Sequence, residues 1–385
     1  MFEIDDVKGQ SAKIRVVGVG GAGGNAINNM IASHLQGVEF IAINTDTQIL
    51  ETSLAPLKVQ IGASITKGLG AGSNPQVGRQ SALEDRASIA EAIEGADMVF
   101  ITAGMGGGTG TGASPVVASV AREMGALTVA IVTKPFFYEA KTRAINAEEG
   151  IRELRNNVDT LIVIPNDRIA LVVDKNTPLL KGFSIANDVL RQAVQGISDI
   201  ILKPGLINVD FADVRTIMQN TGKAVMGTGV GKGEGGAAEA AKKAILNPLL
   251  EDSTIDGARG ILFNITGGIN LSLNEVQEAA SIIYDSAHEN ATIIIGNVID
   301  PDIDNEVRIT VIATGFEEKK EKVELPQVKK WTPLSDPVAL KASGRVLSKN
   351  LAAGRVVNNV SSDLMPYEDP LDVPTFMRKM PQREI

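Results

Sequence analysis

The run GMGGGTGTG at residues 104–112 carries the strongest chemical signal in the chain. Residues without a Cβ let the backbone turn through positive φ and approach a ligand closely. An apolar, β-rich run at 97–103 leads in, and a helix-like run at 113–124 leads out. That helix would aim its free N–H groups and positive dipole end at whatever sits in the turn, which makes a phosphate site. Thr109 and Thr111 add hydroxyls. The plain alternative for a glycine run is a flexible surface loop; the strand and helix around it favour phosphate. The common G-x-x-x-x-G-K-[ST] loop is absent, and the nearest approach, Gly231-Lys232, is followed by Gly233. Gly18, Gly20 and Gly23 have the G-x-G-x-x-G form, and Asp46 falls where a ribose-binding acid stands in dinucleotide sites. A third glycine-rich stretch lies at 62–78. Several such loops closing on one spot suit a string of phosphates better than one dinucleotide. His34 and His288 lie in helical patterns and offer no evident partner for hydride transfer, yet an NAD- or flavin-dependent oxidoreductase stays open as a rival. Two pairs of charged residues complete the inventory. Asp210 and Asp213 stand three apart at a helix start, where they can share a face or simply favour the helix dipole. Glu139 and Arg143 stand four apart, a spacing whose plain reading is a surface ion pair.

Composition limits the setting. The 385 residues are 44% hydrophobic but only 4% aromatic, so the core must be aliphatic, as in parallel α/β layers. A net charge of −9 argues against a basic nucleic-acid surface. With no cysteine there is no disulfide, thiolate metal site or cysteine nucleophile, which fits a cytoplasmic protein. The acidic start MFEIDDVK is no signal peptide, and no apolar run is long enough to cross a bilayer.

Strands at 13–19, 38–44, 97–103, 127–133 and 160–165 alternate with helices at 81–93 and 139–155, among others. This order predicts a Rossmann-like parallel sheet with ligands beyond its carboxyl ends. Apolar residues at three- and four-residue steps predict a long helix over 178–202. After it, helices at 211–220, 234–246 and 274–288 and strands at 224–229, 260–265, 292–298 and 307–313 read as a smaller α+β domain. The expected division is a loose arm at 1–11, a nucleotide-binding domain at 12–177, a central helix at 178–203 and an α+β domain at 204–316. A disordered linker at 317–363 and an apolar, basic-ended docking peptide at 364–385 would follow.

The sequence GGGTGTG at 106–112 resembles the signature loop of the tubulin superfamily. With GVGGAGGN at 18–25, TKGLGAGSNP at 66–75, VTKPF at 132–136 and NVDFADV at 208–214, the chain resembles its bacterial branch, the FtsZ cell-division GTPases, from about residue 13 to 316. The resemblance implies a GTPase domain, a long central helix and a smaller α+β domain. It implies GTP or GDP and Mg²⁺ as cofactors, with no separate metal-ligating residues. Phosphate contacts would come from Gly20, Gly21, Ala22, Gly23, Gly24, Asn25, Gly104, Gly106, Gly107, Gly108, Thr109 and Gly110, with Asn44 and Thr133 nearby. Glu139 and Arg143 would hold the ribose and sugar edge, Phe183 would stack on the base, and Asn166 and Asn187 would read guanine. Asn208, Asp210 and Asp213 would act on the nucleotide of the next subunit in a head-to-tail polymer. The segment from Asp372 to Lys379 would dock membrane-anchoring division partners at a septal ring. Neither nucleic acid nor direct membrane insertion is expected. A scaffold that binds nucleotide without hydrolysing it is the remaining alternative, which intact Asn208, Asp210 and Asp213 oppose. Tyr138 and Ala140, flanking Glu139, depart from the family's usual Phe-Glu-Gly.

Overall fold

The structure, a computed structural model, describes residues 12–316 except 170, 172, 175, 204, 206–208, 250–254, 256 and 302. Asn208, the arm at 1–11, the linker at 317–363 and the peptide at 364–385 lie outside the described residues. The chain divides into two units, Met1–Lys320 and Glu321–Ile385, and the described residues belong to the first.

The elements run β1 (Ile14–Val19), α1 (Gly20–Ala32), β2 (Val38–Asn44), α2 (Thr47–Glu51), β3 (Leu57–Gln60), α3 (Ala63–Thr66), α4 (Pro75–Glu84), α5 (Arg86–Ile93), β4 (Met98–Gly104), α6 (Thr109–Glu123), β5 (Leu127–Lys134), α7 (Lys141–Arg155), β6 (Thr160–Pro165) and α8 (Asn166–Ile169). The long helix α9 (Leu179–Leu202) follows, then α10 (Phe211–Met218), β7 (Gly222–Lys232), α11 (Gly236–Ile245), β8 (Gly260–Gly267), α12 (Leu273–Asp285), β9 (Thr292–Ile299) and β10 (Glu306–Thr314). The strand order is β3-β2-β1-β4-β5-β6-β7-β10-β8-β9. From β3 to β7 all pairs are parallel; β10 runs antiparallel to both β7 and β8. Thr160 to Ile162 of β6 pair with Gly222 to Ala224 of β7, which joins the strands of both halves in one sheet.

Aliphatic strands buried on both faces explain the parallel half. Val16, Phe40, Phe100 and Ile131 point to one face, beneath α1 and α9. Val17, Ile41, Ile101 and Val132 point to the other, beneath α5 and α6. A third core, including Phe263, Ile265, Ile309 and Val311, lies under α11 and α12. Helix α9 packs Val189, Leu190, Val194 and Ile197 into the same core as Met226, Leu262 and Ile312. Its 24 residues span about 36 Å at 1.5 Å per residue, so it carries side chains from one end of this core to the other.

Two expected helices differ from the structure. The run at 81–93 is two helices, α4 and α5, broken at Asp85, whose carboxylate accepts a 2.6 Å hydrogen bond from the Gly62 N–H. The run at 139–155 begins as a 3-10 turn, Phe137–Glu139, and resumes as α7 only after Ala140, whose φ of 91° no helix accommodates. The short elements α2, β3 and α3 escape periodicity because four or five residues contain barely one turn or two alternations.

Candidate functional site

The carboxyl ends of β1, β2, β4 and β5 open into a cavity of about 430 Å³. Three glycine-rich loops line it: Gly21, Ala22 and Asn25 from the first, Gly70, Ala71 and Ser73 from the second, and Gly104 with 107–110 from the third. Helices α1 and α6 start inside the first and third loops. Neither start has a side-chain cap or an acid in its first turn, so backbone N–H groups and positive dipole ends face the cavity. Arg143 is the cationic side chain among the lining residues.

The glycines divide into two sets. Gly21, Gly107, Gly108 and Gly110 line the cavity. Gly20, Gly23, Gly24 and Gly106, also expected there, are not among its lining residues; Gly20, Gly23 and Gly106 instead let backbones touch. Gly20, at φ 71°, lies where a Cβ would stand 2.7 Å from the Gly110 nitrogen, so the first and third glycine-rich loops touch backbone to backbone. A Cβ on Gly23 would meet the Thr102 carbonyl at 2.4 Å, and one on Gly106 the Arg143 carbonyl at 2.7 Å. Gly24 lines a small neighbouring hollow with Asn28 and Ser53. Thr111, read from sequence as a ligand donor, is buried and accepts the Gly106 N–H at 2.8 Å. Thr109 does line the cavity, and its hydroxyl shares a 2.7 Å hydrogen bond with that of Thr45.

Asp46 is no ribose acid of a dinucleotide site. Its Oδ1 accepts from the N–H groups of Gln48 and Ile49 and so caps α2, at the end of the cavity lined by Gly70 and Ser73. Asn44 Oδ1 accepts from Thr45 N–H at 2.8 Å, which fixes the same turn. Sequence reasoning passed over Asp46 as a member of this site because the G-x-G-x-x-G pattern assigned it another role.

The opposite end of the cavity is aromatic and amide-rich. Asn166 begins α8, while Phe183 and Asn187 come from the first turns of α9; all three line the cavity with Thr133. Phe136 meets Phe183 edge-on at 5.4 Å and stacks on Tyr138 at 5.1 Å. Partial desolvation, with Glu139 and Asp167 nearby, pushes the Tyr138 phenol up. The Asn166 side chain is buried, and its Oδ1 has no hydrogen-bond partner among the described residues. A buried acceptor left unpaired is costly, and a ligand with an N–H donor would satisfy it. Glu139 accepts from the Arg143 guanidinium and, at 3.0 Å, from the Phe136 N–H.

Asp210 and Asp213 stand elsewhere. Asp210 is the N-cap of α10, its carbonyl accepting the N–H of Asp213 at 3.0 Å; both residues are exposed, and neither carboxylate has a partner among the described residues. Arg215, two residues on, donates to the Gly125 carbonyl just before β5 begins. The cavity meets the other end of β5 at Thr133, about 20 Å away at strand rise. The acids also follow the carboxyl end of α9, whose amino end bears Phe183 and Asn187. One molecule therefore cannot bring them to its own cavity.

Among the described residues no helix is long and apolar enough to cross a membrane. Residues 13–174 match the family model described as Tubulin/FtsZ family, GTPase domain, and residues 222–317 match FtsZ family, C-terminal domain. An empty FtsZ dimer of M. jannaschii is 46% identical over 80% of this chain and 89% of its own, with a TM-score of 0.77. A tryptophan-to-tyrosine mutant of FtsZ from M. jannaschii is 47% identical over 80% of this chain and 92% of its own, with a TM-score of 0.76. CetZ1 from Haloferax volcanii, in a GDP-bound monomer, shares the fold at 20% identity and a TM-score of 0.69, over 80% of this chain and 95% of its own. By the two family models, the identity to FtsZ and a sheet ending in a glycine-walled cavity, this chain belongs to the Tubulin/FtsZ family, as a GTP-binding, GTP-hydrolysing cytoskeletal protein that polymerises.

Proposed function

We propose that the cavity takes GTP along its length and that the nucleotide is hydrolysed where two subunits meet head to tail. Backbone N–H groups of Gly21, Ala22 and Asn25 and of residues 107–110 would hold the phosphates. Glu139 and Arg143 would hold the ribose and sugar edge, Phe183 would stack on the base, and Asn166 and Asn187 would pair with guanine. The orphaned Asn166 Oδ1 supports a base that presents an N–H donor at that point.

Mg²⁺ would travel with the triphosphate. It would be held chiefly by phosphate oxygens and water, with Asp46 and Thr109 among the residues lining the same cavity. Bound there, Mg²⁺ would neutralise charge on the β- and γ-phosphates.

The observation that carries the proposal is the separation of the half-sites: a cavity at one end of α9 and two exposed, unpaired carboxylates beyond the other. Asp210 and Asp213, with Asn208, would orient the attacking water on the neighbour's nucleotide. Exposed apolar residues flank the cavity, with Leu69 on one side and Phe137, Leu179 and Leu180 on the other. A second copy would cover them. Such a contact is heterologous and extends into an open filament. The peptide from Asp372 to Lys379 would tether the filament to membrane-anchoring division proteins, which would bring this chain to the septal ring; deleting 372–385 should abolish that binding.

The test is turnover per molecule against protein concentration, for the native chain and Asp213→Ala. The native rate should fall toward zero on dilution. The variant should bind GTP normally yet turn it over at least a hundredfold more slowly at every concentration. A native rate constant down to high dilution, or an unimpaired variant, would refute the shared site.

A further inference from the structure

Ala140 is the non-glycine residue with the largest positive φ among the described residues, at φ 91° and ψ 147°. This region is essentially reserved for glycine, because a Cβ there crowds the flanking peptide groups. Strain of that kind persists only where the surroundings enforce it, and here the enforcing contacts are visible. On one side Glu139 accepts the Phe136 N–H at 3.0 Å, and the Phe137 N–H donates to Asp167 at 3.0 Å. On the other, the Ala140 carbonyl accepts the Ala144 N–H at 3.3 Å and starts α7. The joint links both ends of the cavity. Phe136 packs against Phe183 at one end, and the Arg143 backbone is pressed against Gly106 of the phosphate loop at the other.

We infer that Ala140 is a strained positioning residue that holds Glu139 and Arg143 over the cavity and sets how firmly they close on the nucleotide. The inference rests on the reading of those two side chains as nucleotide contacts. If Ala140 relaxes to negative φ, Glu139 leaves the cavity wall and α7 moves off Gly106. The strain thus favours the open arrangement, and the apparent affinity is lowered by the fraction of molecules that hold the closed one. Glycine at 140 removes the strain but adds freedom to the open arrangement, so the net gain is smaller than the strain itself.

The experiment measures binding and release of a fluorescent GDP by the full-length chain, kept dilute enough to stay unassembled. Ala140→Gly should bind about threefold to tenfold more tightly, through slower release. Ala140→Val, whose branched side chain is worse at positive φ, should bind more weakly by a similar factor. An Ala140→Gly variant with unchanged affinity and release overturns the inference, even if its melting temperature rises, because that is the mark of a purely structural role. Glu139→Gln is measured alongside. If it weakens binding while Ala140→Gly changes nothing, this inference fails and the site reading stands. If both are without effect, the site reading falls with it.

Discussion

Replacing Asn166 by Leu should make the protein more stable and the site worse. The side chain is buried at 6% exposure, and its Oδ1 has no partner among the described residues. An unpaired buried polar group costs about 1–3 kcal/mol. Leucine has a similar shape and no polar atom, so the nucleotide-free protein should recover much of that amount. At about 2 cal/mol/K of unfolding entropy per residue, each kcal/mol moves the midpoint of a unit this large by about 1.5 °C, so the melting temperature should rise by roughly 1–5 °C. The nucleotide should lose more than the fold gains. The hydrogen bond itself is worth about 1 kcal/mol, and the base donor left facing leucine adds another ~1–3 kcal/mol. Affinity for GDP should therefore drop by about 30- to 1000-fold, and preference for guanine over adenine should shrink with it. Thermal melts with and without GDP read both effects at once, because the shift produced by ligand follows its dissociation constant. A variant that melts lower without nucleotide, or binds GDP as before, would show that this amide is not a frustrated acceptor awaiting the base.

Two further predictions concern packing and pH. A Cβ on Gly112 would stand 1.9 Å from the Pro75 carbonyl and 2.6 Å from the Arg79 nitrogen, so Gly112→Ala must push α4 and α6 apart. Differential scanning calorimetry should show a loss of at least about 2 kcal/mol, and an unchanged midpoint would mean the helices can slide freely. Asp199, on the buried face of α9, has its carboxyl pushed up from 3.8, chiefly by burial and against the opposing pull of Lys203. A raised carboxyl favours the folded state below the unfolded value near 3.8, and that contribution is lost as pH climbs through the folded value. Asp199→Asn should therefore compare best with the native chain at neutral pH and lose ground on acidification through that window. Urea midpoints for both proteins from about pH 4 to about pH 7 would test it, and a constant difference would remove Asp199 as the cause.

Much of this protein is legible in its sequence because the relevant forces are local. Glycine runs between an aliphatic strand and a helix can do little but turn close to a ligand, and the 104–112 loop is built that way. Three- and four-residue apolar steps fixed α9 to within one residue at its start, since periodicity over 24 positions admits no other helix face. The residues around Glu139 were harder to read. Helical spacing of Glu139 and Arg143 concealed the break at Ala140, because a positive φ leaves no trace in hydrophobic pattern. Gly20, Gly23 and Gly106 look the same in sequence as the cavity glycines, yet their work is to let backbones touch.

What the chain alone determined was the set of parts: glycine-rich loops, a long apolar-striped helix and a pair of acids three residues apart. What the tertiary structure decided was distance. It drew loops far apart in sequence into one wall, because parallel strands bring their carboxyl ends to a common edge. The same rigid helix that supplies Phe183 to that edge carries the chain to Asp210 and Asp213 on the far side. No spacing in a sequence encodes that separation. It follows from a rise of about 1.5 Å repeated along 24 helical residues packed against the core.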